Sequence, residues 1–356
     1  MGAMRLAHRL TISLIIVALA GAGCTAPDDS APPPEAPTSS SQPAPTTSAP
    51  SPSSSPTPTP TPDPPHAVSL QALMAKQHDG RGLRVGRVLA SASSYTRHFV
   101  TYKSGKLTIS GILNVPKGKG PFPALVLAHG YIDPAIYTNG RGMMREQDYL
   151  ARRGYVVLHT DYRNHAASDN DPKSDRQLRL GYTEDVINAV LAIKRSPLPY
   201  LDGERVGLVG RSLGGGVLYN VLVAAPGLVD AAVAFAPVSS DTVDNFDRWT
   251  RGDGERRELT RRIISAYGSP EDNQQFWRDV SPRNFFDRVT EPVLIHHGTA
   301  DDTCPPRWSR ATLKALQAAG AEARLVTYDE EGHAFGPQWP LSMRRTVAFF
   351  RDHLRA

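Results

Sequence analysis

Arg205-Val206-Gly207-Leu208-Val209-Gly210-Arg211-Ser212-Leu213-Gly214 reads as an apolar strand that runs straight into a tight turn, and Leu213 to Ala225 beyond it is helix-compatible. In the pattern G-x-S-x-G the serine sits on the sharp turn between strand and helix, its hydroxyl exposed and backbone N–H groups aimed at the atom it attacks. A serine held this way is a nucleophile in waiting. It needs a base, an acid and donors for a developing oxyanion, and these must come from elsewhere in the chain.

Working outward from Ser212, the chain shows a β and then a β/α order. His98 to Lys103 and Lys106 to Val115 alternate apolar and polar residues around Ser104-Gly105, the pattern of a hairpin. Ala124 to Ala128 is an unbroken apolar run ending in His129-Gly130, as expected of a strand buried on both faces. A helix over 143–153, a strand over 155–160 and a helix over 183–195 follow. Beyond Ser212 come strands over 231–236, 293–297 and 323–328 and helices over 306–319 and 341–354. Strands alternating with helices predict an α/β domain with a mostly parallel central sheet, helices on both faces, and ligands gathered beyond the carboxyl ends of the strands.

The remaining chemistry falls at such ends. The strand at 293–297 is followed by Gly298-Thr299-Ala300-Asp301-Asp302-Thr303-Cys304, and the strand at 323–328 by Asp329-Glu330-Glu331-Gly332-His333. Serine, acid and histidine thus follow one another as Ser212, Asp301 and His333. Asp302 is the neighbouring alternative acid and reads as a loop-capping carboxylate. His129, His296 and His297 compete with His333 as base, but the last two belong to a strand and its end. His129 reads as a structural hydrogen-bonding residue. Glu184 and Asp185 read as caps or dipole partners at the start of a helix, and Cys304 as packing, since no histidine is placed by sequence to activate it.

Ala128-His129-Gly130-Tyr131, Asp161-Tyr162-Arg163, Asp202-Gly203-Glu204-Arg205-Val206, Gly210-Arg211-Ser212-Leu213-Gly214-Gly215, His297-Gly298-Thr299-Ala300-Asp301-Asp302 and Glu331-Gly332-His333 together resemble the α/β hydrolases. Within them, residues 98–356 resemble the catalytic domain of the prolyl oligopeptidase-type serine peptidases. The resemblance implies a triad of Ser212, Asp301 and His333, with the N–H groups of Leu213 and Tyr131 as the oxyanion hole and no metal or organic cofactor. It implies small ester or peptide substrates. Three departures stand out. Tyr131 occupies a position where many relatives have a second glycine, Cys304 replaces the usual valine, and Ala67 to Arg97 is too short for the β-propeller that screens many of these peptidases. The same body also serves carboxylesterases, dienelactone hydrolases and polysaccharide deacetylases. A reading of another class is a non-catalytic surface binding protein that keeps the fold.

Residues 239–291 form an insertion rich in aromatics and charges, expected to cap the site. Phe246, Trp249, Tyr267, Phe276, Trp277, Phe285 and Phe286 suit either a pocket wall or the packing of the cap onto the sheet.

The first 66 residues read differently. Arg5 and Arg9, the apolar stretch Leu10 to Ala20 and the small residues Gly21-Ala22-Gly23 before Cys24 resemble a bacterial lipoprotein signal (1–23), although Gly21 stands where an aliphatic residue is usual. On that reading Cys24 carries the lipid and the protein is exported to the extracytoplasmic face of the membrane. Thr25 to His66 holds 15 prolines, 9 serines and 7 threonines but no lysine or arginine, the composition of an extended, disordered spacer (24–66). The domain proper then spans 67–356. The chain carries a formal charge of +5 with its basic residues scattered, and no nucleic-acid module accompanies them. Besides Cys24, only Cys304 is available, so neither a disulfide framework nor a cysteine metal site can be built.

Overall fold

The computed structural model describes residues 65–354. The signal segment, Cys24 and almost all of the 24–66 spacer lie outside them.

Among the described residues nine strands form one mixed sheet: β1 (Arg81–Ser91), β2 (Tyr95–Ser104), β3 (Leu107–Pro116), β4 (Phe122–Ala128), β5 (Val156–Thr160), β6 (Leu201–Arg211), β7 (Ala231–Phe235), β8 (Val293–Gly298) and β9 (Ala323–Tyr328). Their order across the sheet is β1-β2-β3-β5-β4-β6-β7-β8-β9. The first three run antiparallel, β3 meets β5 antiparallel, and every pair from β5 to β9 is parallel. This is an α/β fold with a mostly parallel sheet.

The unbroken apolar runs have a direct cause. Along β4, Ala124, Val126 and Ala128 enter one core while Leu125 and Leu127 enter the other. β7 divides likewise, with Ala232 and Ala234 on one side and Ala231, Val233 and Phe235 on the other. Successive side chains of a strand point to opposite faces, so a strand covered on both faces leaves few positions for a polar residue. Helices α1 (Leu70–Ala75), α3 (Leu180–Lys194), α4 (Leu213–Ala224) and α8 (Pro306–Ala318) contribute to the first core; α2 (Met144–Ala151) and α9 (Trp339–His353) cover the second. Two elements precede the predicted hairpin. Ser69 accepts the Ala72 N–H at the start of α1, a side-chain N-cap, and β1 forms the sheet edge.

Between β7 and β8 the insertion folds as α5 (Thr242–Phe246), α6 (Arg257–Tyr267), α7 (Gln274–Asp279) and short turns. Asp241 caps α5 and Asn273 caps α7 through their side-chain oxygens. Its aromatics divide between the two expected roles. Tyr267 stacks on Phe276 with centroids 4.4 Å apart, and Trp277 and Phe286 are buried in the first core. Phe246 and Trp249 also line the cavity above Ser212.

Candidate active site

β6 ends at Arg211 and α4 begins at Leu213, leaving Ser212 alone at the bend with φ 55° and ψ −120°. That left-handed backbone is strained for a residue with a side chain. It is fixed from both sides. The Ser212 N–H donates to Phe235 O at 2.9 Å, and Ser212 O accepts from the N–H groups of Gly215 and Val238 at 2.9 and 3.1 Å. Serine is a common helix cap, yet Ser212 makes no side-chain capping bond. Gly214 is required by closeness: a Cβ there would lie 1.9 Å from Ala128 O, where the end of β4 passes the start of α4.

His333 stands on the loop between β9 and α9. Its Nδ1 donates to Asp301 Oδ2 at 2.9 Å. Asp301 is buried and accepts three further bonds, from the N–H groups of Thr303 (3.0 Å) and Cys304 (2.8 Å) at Oδ1 and from His297 Nε2 (3.2 Å) at Oδ2. Burial pushes its pKa upward. The donors from His297, His333 and Cys304 outweigh that effect and hold the carboxyl well below the usual carboxylate range. It therefore faces His333 as an anion. Asp302 is exposed and, among the described residues, bonds only within its own turn and through its backbone to Arg248. Gly298 lets the acid and base loops meet, because a Cβ there would lie 2.1 Å from Glu331 O.

The rival histidines have other partners. His296 is buried between Tyr328 Oη (2.8 Å) and Thr346 Oγ1 (3.1 Å), and burial lowers its pKa to about 3. His297 lies behind Asp301, between Ser309 Oγ (2.6 Å) and Cys304 O (2.7 Å). A carbonyl can only accept, so Nε2 carries a proton. His129 donates from Nδ1 to Gly130 O at 2.6 Å and packs against Tyr137 and Tyr162. Burial lowers its pKa to about 3, so the ring is neutral.

Ser212, His333, Gly130 and Tyr131 line one cavity of about 560 Å³. Ser212 Oγ lies 4.0 Å from Cys304 Sγ, and among the described residues no hydrogen bond joins Ser212 to His333. Such bonds are often long before substrate arrives. Cys304 is fully buried, and burial together with the Asp301 charge pushes its thiol up to about 12, which keeps it protonated. The N–H groups of Tyr131 and Leu213 donate to no group among the described residues. The Tyr131 hydroxyl accepts from Arg256 of the cap at 3.0 Å, and its ring lies between the guanidinium groups of Arg179 and Arg256.

Glu184 and Asp185 do not cap a helix. α3 begins at Leu180, so both lie past its first turn, where they pair with the buried Arg163 at 3.1 and 2.8 Å. An arginine's five donors can serve several carboxylates at once. A second set unmarked in the sequence surrounds the His333 loop. Arg211 donates to His333 O (3.2 Å) and pairs with Glu146 (2.7 Å), which also accepts from Trp339 Nε1 (2.8 Å). Arg145 donates to Ala334 O (2.6 Å) and Phe335 O (3.2 Å). No group of three His, Cys, Asp or Glu residues among the described residues is placed to hold a metal ion.

Comparison with known proteins gives a consistent placement. The model of the prolyl oligopeptidase family matches residues 142–356. An uncharacterized peptidase of Bacillus subtilis, YuxL, is 29% identical over 228 residues, which are 61% of this chain and 32% of that protein. Cat dipeptidyl peptidase 4 is 32% identical over 168 residues, 46% of this chain and 20% of the relative. The chain thus spans about a third or less of the length of these two relatives. Among solved structures, acetyl xylan esterase 1 from Thermoanaerobacterium superposes with a TM-score of 0.59 at 18% identity, covering 81% of this chain and 92% of the esterase, a likeness of fold.

Proposed function

The chain belongs to the prolyl oligopeptidase family, and on that premise we propose that it is a serine hydrolase that cleaves ester or peptide bonds with Ser212, His333 and Asp301. The observation that carries this is the 2.9 Å bond from His333 to a charged, buried Asp301 on the cavity that Ser212 also lines. In the reaction, His333 Nε2 takes the Ser212 proton as Oγ attacks the carbonyl carbon. The tetrahedral oxygen is received by the N–H groups of Leu213 and Tyr131, whose donors are uncommitted. The leaving alcohol or amine departs with the proton from His333, and water then cleaves the acyl-enzyme by the same route in reverse. Asp301 keeps the imidazole oriented and stabilises its charged form. With p-nitrophenyl esters and peptide anilides as substrates, Ser212→Ala is expected to lower kcat by at least about a thousandfold. Unchanged turnover in that variant removes the proposal.

The same reading places the enzyme outside the cytoplasm, held by a lipid on Cys24 with residues 25–66 as spacer, on the strength of the signal-like residues before Cys24 and the proline-rich composition after it. Cys24→Ser is expected to move the protein from the membrane fraction to the medium. A variant that stays with the membrane excludes lipidation as the anchor.

A further inference from the structure

The cavity has a direction. Ser212, Gly216, Val217 and Asn220 line it along a single face of α4, so it extends two helical turns from the nucleophile. Eight residues at helical rise put its far end about 12 Å from Ser212. The opposite wall is the cap, which contributes the apolar side chains of Phe246, Leu259, Ile263 and Val280. Each charged lining group that could meet an ionic substrate already has a partner. Asp175 pairs with Arg179 (2.7 Å), Asp253 with Arg256 (3.3 Å) and Arg211 with Glu146 (2.7 Å). An ammonium or carboxylate entering here would lose its hydration and gain no free counter-charge.

Asn220 marks the end of this face of the lining. Its Nδ2 donates to Thr183 Oγ1 at 3.2 Å, and its Oδ1 is buried with no hydrogen-bond partner among the described residues. The lining beside the nucleophile is thus about two helical turns long, the reach of an extended chain of about eight carbons.

We propose that this chamber is an acyl site for an uncharged, extended, medium-chain acyl group of the octanoyl class, and that the two-turn length of its lining along α4 limits the chain it accepts. This rests on the serine hydrolase reading above and assigns its substrate class. The ester C–O bond breaks as the bond from Ser212 Oγ to the acyl carbon forms; the alcohol leaves with the proton held by His333, and water releases the carboxylic acid. Each methylene buried in the chamber adds about fourfold to binding.

The test is kcat/KM of the full chain for p-nitrophenyl acetate, butyrate, octanoate and dodecanoate. Octanoate carries six more methylenes than acetate and is expected to exceed it by at least about a thousandfold, with a fall at dodecanoate. Val217→Phe, which narrows the chamber beside the nucleophile, should lower the octanoate-to-acetate ratio at least about tenfold. A flat profile, an optimum at acetate, or a ratio unmoved in Val217→Phe overturns the inference. If a fluorophosphonate still labels Ser212 in that case, the serine hydrolase reading stands; loss of both labelling and hydrolysis removes the two together.

Discussion

The backbone of Ser212 and its side chain make opposite demands. Attack requires a hydroxyl lifted to the tip of the bend, and the bend requires φ 55° and ψ −120°, a region where a Cβ is crowded. The neighbouring bonds to Phe235, Gly215 and Val238 hold the residue there. Removing the hydroxyl alone and removing it together with the Cβ should therefore differ. Ser212→Gly is expected to be about 1 kcal/mol more stable than Ser212→Ala, read by urea denaturation of the two inactive variants. Equal stabilities would show that the bend is not strained. At the same scale, Asp301 shows how a buried acid stays charged: four donors converge on two oxygens, and the two histidines among them come from the strand before it and the loop opposite.

Among elements, the loop that carries His333 is the most heavily tied. Arg211, one residue from the nucleophile, reaches both His333 O and Glu146, and Glu146 also receives Trp339 at the start of α9. Burial raises the Glu146 pKa, but Arg211 and Trp339 reverse this and leave it lowered. A group with a lowered folded pKa contributes its stability above the ordinary carboxylate pKa and loses it as pH falls through the folded value. Glu146→Gln should thus be less stable than wild type at neutral pH by about 3 kcal/mol, and the gap should narrow below about pH 4. Thermal denaturation across that range reads it. The loosened loop should also lower kcat roughly tenfold with little change in KM.

None of the Arg211–Glu146–Trp339 network is legible from spacing, because its members are 65 and 193 residues apart in the chain. The strand ends were readable for the opposite reason. β4 and β7 are buried on both faces and so are written as continuous apolar runs that stop where the loops begin, and β8 opens with such a run, Val293-Leu294-Ile295, before its buried His296 and His297. β1 carries no such signal, since Arg81-Gly82-Leu83-Arg84-Val85 lies at the sheet edge with only Leu83 and Val85 turned toward the core. Likewise, composition could not divide the cap aromatics, because a ring that lines a cavity and one that packs beneath it are equally apolar.

At the scale of the whole molecule, the insertion at 239–291 forms one wall of the cavity that Ser212 lines. Its Arg248 donates to the backbone carbonyls of Asp302 and Thr303 beside the acid, and its Arg256 to the hydroxyl of Tyr131 beside the proposed oxyanion site. The cap is therefore bonded to two of the loops of the proposed reaction centre, and its inner wall supplies the apolar side of the chamber. Ser212, His333, Asp301 and the cap lie at one end of the parallel sheet, where the strands β6, β9, β8 and β7 deliver them.

The most direct test of this arrangement is to treat the full chain with a fluorophosphonate and map the adduct by peptide mass spectrometry. One covalent adduct on Ser212 is expected, absent in Ser212→Ala and formed far more slowly in His333→Ala. A folded wild type that forms no adduct, or one labelled at another residue, would contradict the account.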